Sequence, residues 1–122
     1  MNEPEYWERL INRSLCRFFL LRALKQKPMH GYEVGKFIME TCSGCCQPSD
    51  AMIYPTLHEL LEGGYIECHT ESKGGRQRKV YALTEKGLES YRVAAEAWDR
   101  AIPYLVEATE AAKGKKGDNQ EE

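Results

Sequence analysis

Apolar positions recur at helical spacing over residues 5–26, where Ile11, Leu15, Phe18 and Leu21 share one side and Arg9, Arg13 and Arg17 recur every fourth residue on another. Pro28 ends this predicted first helix, because the residue before a proline is pushed out of helical geometry. A second helix is predicted over residues 30–40, with Tyr32, Gly35, Ile38 and Met39 at helical intervals. Glycine and proline at residues 42–48 make the next stretch a loop. Ser49 then offers an N-cap for a third helix, with Ile53, Leu57, Leu60 and Leu61 as its apolar stripe and Gly63 and Gly64 at its end. Pro55 leaves two starts open. Either the helix begins at Ser49 and loses a hydrogen bond to Ala51, or it begins near Tyr54 with the proline in its first turn.

The period then changes from helical to alternating. Residues 65–70 and 78–83 are short, rich in aromatic and β-branched side chains, and separated by a glycine-containing turn, which predicts a β-hairpin. Thr84 caps a last helix over residues 84–112, with Glu85 in its first turn. Along it Leu88, Tyr91, Ala95, Trp98, Ile102, Leu105 and Thr109 follow steps of three and four, a heptad seam that Pro103 interrupts and bends. The charged tail, residues 113–122, is expected to be disordered.

The fold class is therefore mainly α with a small β-hairpin. The order helix, helix, helix, hairpin, helix is that of a winged helix-turn-helix followed by a long helix. The expected organisation is a winged-helix DNA-binding domain over residues 5–84 and a C-terminal dimerisation helix over residues 85–112. Leu88, Tyr91, Ala95, Trp98, Ile102 and Leu105 are the expected contacts of a homodimer.

Composition narrows the function classes. The 122 residues, 42% hydrophobic and 30% charged, suit one globular domain rather than a membrane or disordered chain. The acidic N-terminus lacks the basic and apolar regions of a signal peptide, and no apolar run approaches the roughly 20 residues of a membrane span. A cytoplasmic protein without membrane partners is expected. The net charge of −2 does not announce a nucleic-acid binder, but phosphate contact needs only a local basic patch. That patch lies at the hairpin tip, where Lys73, Arg76, Arg78 and Lys79 occur with no acid among residues 73–79. Such a loop suits phosphates or a narrow minor groove. The third helix carries no lysine or arginine; Ser49, Tyr54 and Thr56 in its N-terminal half are neutral groups able to hydrogen-bond phosphate or base edges. This leaves a second reading open, a winged helix used as a protein–protein interaction module.

No nucleophile–base–acid set and no phosphate-binding glycine loop occurs, so an enzyme is not expected. The five cysteines fit thiols in a reducing compartment better than a disulfide framework. Cys42, Cys45 and Cys46 form a C-x-x-C-C knuckle that could hold a soft metal ion through thiolates or act as a redox sensor. Cys68 and His69 would complete a tetrahedral site if the fold brought them near.

Three runs together resemble a known family. They are Met29-His30-Gly31-Tyr32-Glu33, then Ile53-Tyr54-Pro55-Thr56-Leu57-His58-Glu59-Leu60-Leu61-Glu62-Gly63-Gly64-Tyr65-Ile66, then Gly75-Arg76-Gln77-Arg78-Lys79-Val80-Tyr81-Ala82-Leu83-Thr84-Glu85-Lys86-Gly87. In this order they resemble the PadR-like winged-helix transcriptional regulators over residues 15–87. The resemblance implies a homodimer that binds pseudo-palindromic operators in double-stranded DNA, usually represses, and dimerises through its C-terminal helix. The short C-terminal part resembles members with a single such helix. It places Tyr54 and Pro55 in the recognition-helix motif, Gly75, Arg76 and Arg78 in the wing, and His30 and Tyr32 at the opening of the second helix. It also implies a small-molecule effector, with Trp98 as the residue on which a flat aromatic ligand would stack. The cysteine-rich linker departs from the family pattern, which has a short polar stretch there.

Overall fold

The computed structural model describes residues 1–41 and 49–114. Its elements are α1 (Pro4–Gln26), β1 (Met29–His30), α2 (Gly31–Thr41), α3 (Asp50–Glu62), β2 (Ile66–Lys73), β3 (Arg76–Leu83) and α4 (Glu85–Gly114). The chain divides into two compact units, Met1–Tyr91 and Arg92–Glu122. Among the described residues no helix is long and apolar enough to cross a membrane.

The first unit has one core. Leu20, Val34, Ile38 and Leu57, all at most 1% exposed, bring α1, α2 and α3 together. Ile66 and Tyr81 close the core from the sheet. Burying side chains of this size stabilises the fold by about 1.5–3 kcal/mol each. Phe18 of α1 also stacks on Tyr91, with ring centroids 5.5 Å apart. The first two turns of α4 therefore belong to this unit.

The sheet has three antiparallel strands in the order β1-β3-β2. The alternating pattern predicts the hairpin but not β1, and α2 begins at Gly31, one residue later than its periodicity places it. After Pro28 the chain stays extended for two residues, pairing Met29 with Tyr81 and His30 with Val80 before α2 begins. Two residues are too few to display a period of two, which is why the pattern did not show the strand. The hairpin strands are also longer than read, eight residues each. Their turn is only Gly74-Gly75, both at positive φ (59° and 80°), the two-residue loop that suits the twist of a hairpin.

α3 begins at Asp50, so the earlier of the two starts holds and Pro55 sits inside a continuous helix. The Ala51 carbonyl thereby loses its helical donor. Ser49 occupies the N-cap position, but its side chain makes no capping hydrogen bond. Thr84 does cap α4: its Oγ1 accepts from the Gly87 amide at 3.1 Å and donates to the Gly64 carbonyl at 2.7 Å. Gly87 itself admits no side chain, because a Cβ there would lie 2.0 Å from the Tyr65 carbonyl oxygen.

In the second unit, α4 runs on without a break through Pro103. Ile102, Leu105 and Val106, three and four residues apart, form an exposed apolar stripe. Lys113 and Gly114 close the helix; the rest of the tail, residues 115–122, lies outside the described residues.

Candidate nucleic-acid interface

Tyr54 is the residue around which the site is built. Its neighbours on α3, Ile53 and Leu57, are buried and fix the helix against the core, which leaves Tyr54 46% exposed. The ring lies over Gly31, the first residue of α2: a Cβ at that position would meet the tyrosine Cε1 at 2.8 Å. Glycine at this point is what allows α3 to approach the start of α2.

β1 brings the third partner. Its pairing with β3 holds His30 beside the wing, where the His30 Nδ1 and the Lys79 carbonyl oxygen are 3.4 Å apart. Glu33 accepts a hydrogen bond from the His30 amide at 2.9 Å, half of a capping box at the start of α2. The same carboxylate stands 4.0 Å from the His30 Nε2. The result is a groove of about 460 Å³ between α2, α3 and β3, lined by His30, Gly31, Tyr32, Tyr54, Arg78, Lys79 and Tyr81. Tyr81 forms its floor, and burial holds its hydroxyl above the ordinary tyrosine pKa of 10.0, with Cys68 and Tyr54 adding smaller contributions.

Five of the nine residues read as DNA-binding thus meet in one groove: His30, Tyr32, Tyr54, Arg78 and Lys79. The other four lie elsewhere. Lys73 and Arg76 face each other across the ladder, flanking the Gly74-Gly75 turn at the tip of the wing. Like charges placed opposite each other repel, so the pair is best accommodated by an anion. Arg78 stands opposite Glu71, yet none of the four wing cations makes an ion pair among the described residues. Ser49 is exposed at the start of α3. Thr56 is half-buried and spends its hydroxyl on the Met52 carbonyl at 2.8 Å.

The exposed face of α3 carries Ala51, Tyr54, Pro55 and His58. Sequence reasoning passed over His58, although it lies one turn beyond Tyr54 on the same face; its Nε2 is 3.3 Å from a Glu62 carboxylate oxygen. A second acid on this helix, Glu59, is held by the Arg17 guanidinium of α1. Cys42, Cys45 and Cys46 lie outside the described residues. Cys68 is half-buried on β2, and His69 beside it is exposed. On α4, Trp98 and Ala95 are half-buried, whereas Ile102 and Leu105 are exposed.

Comparison with known proteins places this architecture. The chain is 35% identical over 82 residues to the transcriptional regulator YqjI of Escherichia coli strain K12, covering 67% of this chain and 38% of that protein. It is 26% identical over 74 residues to the negative transcriptional regulator PadR of Bacillus subtilis strain 168, covering 60% of this chain and 41% of that one. The chain thus spans about two fifths of the length of the curated relatives it matches. Among solved structures, a transcriptional regulator from Thermoplasma acidophilum superposes with a TM-score of 0.71 at 26% identity, over 80% of this chain and 93% of that one. Bacillus subtilis PadR in complex with operator DNA shares the fold, with a TM-score of 0.62 at 23% identity over 66% of this chain and 46% of that one. The family model for the transcriptional regulator PadR-like family matches residues 20–93, from the second half of α1 to the early turns of α4. On these grounds the chain belongs to the PadR-like family of transcriptional regulators.

Proposed function

We propose that the chain is a homodimeric repressor that binds a pseudo-palindromic operator through the groove between α3 and the wing. The observation that carries this reading is the convergence of Arg78 and Lys79 with His30, Tyr32 and Tyr54 along one concave surface. Cations there meet phosphates, while neutral hydrogen-bonding groups beside them reach base edges. α3 enters the major groove by its exposed face, and the wing tip, with Lys73 and Arg76, lies on the flanking backbone. The relative from Bacillus subtilis is named a negative regulator and has been solved on operator DNA, which supports the same direction for this chain.

Dimerisation is assigned to α4, where Ile102 and Leu105 continue the heptad seam as exposed apolar side chains. A second copy covering them would set two α3 helices about one helical turn, roughly 34 Å, apart. Release follows if an effector favours a dimer geometry that misaligns the two helices. Trp98 on the seam is the candidate contact for a flat aromatic effector. The Cys42, Cys45 and Cys46 thiols are the candidate for a soft metal ion or an oxidant.

A mobility-shift titration against the DNA upstream of the chain's own gene tests the reading. The unaltered chain is expected to shift this DNA ahead of competitor. The Arg76→Ala/Lys79→Ala double variant should bind every duplex more weakly, with a salt dependence shallower by about two phosphate contacts. Unchanged affinity and salt slope in that variant would remove the wing from the interface.

A further inference from the structure

α3 has two flanks, and the wing groove occupies only one of them. On the other, Arg13 and Arg17 of α1 line a shallower groove of about 280 Å³ with Ala51, Met52, Pro55 and Thr56 of α3. The two arginines are four residues apart and so share one face of α1. Their situations differ. Arg17 is bound to Glu59, which cancels the carboxylate that α3 would otherwise present on this side. Arg13 is exposed and makes no ion pair among the described residues.

We propose that Arg13 is a second phosphate-binding position, contacting the backbone strand on the opposite side of the major groove from the wing. The proposal rests on the DNA-binding reading above and adds a surface to it. A major groove is about 12 Å wide and an α-helix with its side chains about 10–12 Å across, so an inserted helix has a sugar-phosphate strand against each flank. A reader with cations on one flank alone would leave the other strand facing a neutral surface. Here the exposed face of α3 has no cation, while the wing supplies Arg78 and Lys79 on one side and α1 supplies Arg13 on the other. The Arg17–Glu59 pair neutralises the Glu59 carboxylate on this second flank, and Arg13 adds a positive charge to it.

Fluorescence anisotropy of a labelled mixed-sequence duplex of about 30 base pairs, titrated with the full chain across a range of NaCl concentrations, tests the assignment. Arg13→Ala should lower affinity about three- to tenfold near 0.1 M salt and reduce the salt slope by about 0.9, the signature of one lost phosphate contact. Arg13→Lys keeps the charge and should keep the slope. Arg9→Ala, one turn away on α1 and outside the groove, should bind like the unaltered chain. Arg13→Ala with unchanged affinity and slope, alongside a wing double variant that loses both, would overturn the α1 contact and leave the DNA reading standing. Arg13→Lys binding as weakly as Arg13→Ala would overturn it too, because charge would not be what matters. An unaltered chain that binds no duplex even at low salt would overturn both readings together.

Discussion

α3 and the wing border the same groove but are built by opposite means. α3 is anchored through Ile53, Leu57 and Leu60, at most 5% exposed, and its outer face holds no cation. The wing beyond Val80 buries no side chain, and its four cations stand on a two-stranded ladder. The difference teaches which task needs which support. Attraction of a cation to phosphates acts over a Debye length of about 8–10 Å, so small motions of a hairpin cost it little. A hydrogen bond to a base edge fails within a few tenths of an ångström, so the groups that would make one stand on an element whose other face is locked in the core.

The largest effect that would sharpen this comparison concerns anchoring. Leu57→Ala leaves a cavity under α3 and should cost about 2–5 kcal/mol in urea denaturation, whereas Arg76→Ala should change stability by less than about 0.5 kcal/mol. A wing substitution as damaging as the core one would break the distinction. Next comes the division of binding labour. Tyr54→Ala should cost roughly tenfold in discrimination between operator and mixed-sequence duplex, about 1.4 kcal/mol, with an unchanged salt slope. The wing double variant should do the reverse, and competition binding at several salt concentrations separates the two outcomes.

A smaller effect probes how α3 is seated on α2. Gly31→Ala pushes a methyl group into the Tyr54 ring and should destabilise the chain by about 1 kcal/mol. The penalty should largely vanish in a Tyr54→Ala background; a cycle with no coupling would show that the ring does not rest on this glycine. The smallest effect lies at the floor of the groove. The folded chain holds the Tyr81 proton more tightly than the unfolded chain does, so Tyr81 leaves stability untouched well below its ordinary pKa of 10.0. Stability should then fall as pH rises through that value and the higher folded one. Tyr81→Phe should flatten the alkaline limb of thermal unfolding.

How far the site was legible depended on whether its residues signal locally. Lys73, Arg76, Arg78 and Lys79 were found because four cations on two glycines stand out over seven residues. Tyr54 was found by its place in a motif. Arg13 was visible as part of an every-fourth-residue arginine row, but nothing in that row says which helix it borders. His58 was missed because a histidine on a helix surface carries no signal until the helix has a buried side. Gly31 was legible as part of a motif and not as a packing requirement, because the ring that needs the space is 23 residues away in the chain.

By itself the sequence determined the order of the helices and the hairpin, the core face of α3, the two-glycine turn and the charge of the wing, all of which follow from short-range periodicity and backbone preference. On α2 the expected stripe is displaced, because Tyr32 and Met39 are exposed while Val34 and Ile38 are buried. Tertiary structure decided the rest. It set the length of the hairpin strands, the existence of β1, the start of α3 across Pro55, and the meeting of His30, Tyr54 and Arg78 in one groove. It also gave α3, whose own charged side chains are acids, a cationic neighbour on each side. The physical reason is that these features depend on contacts between residues far apart in the chain. A two-residue strand exists only because β3 lies beside it, and a helix without lysine or arginine acquires a basic setting only from the elements packed around it.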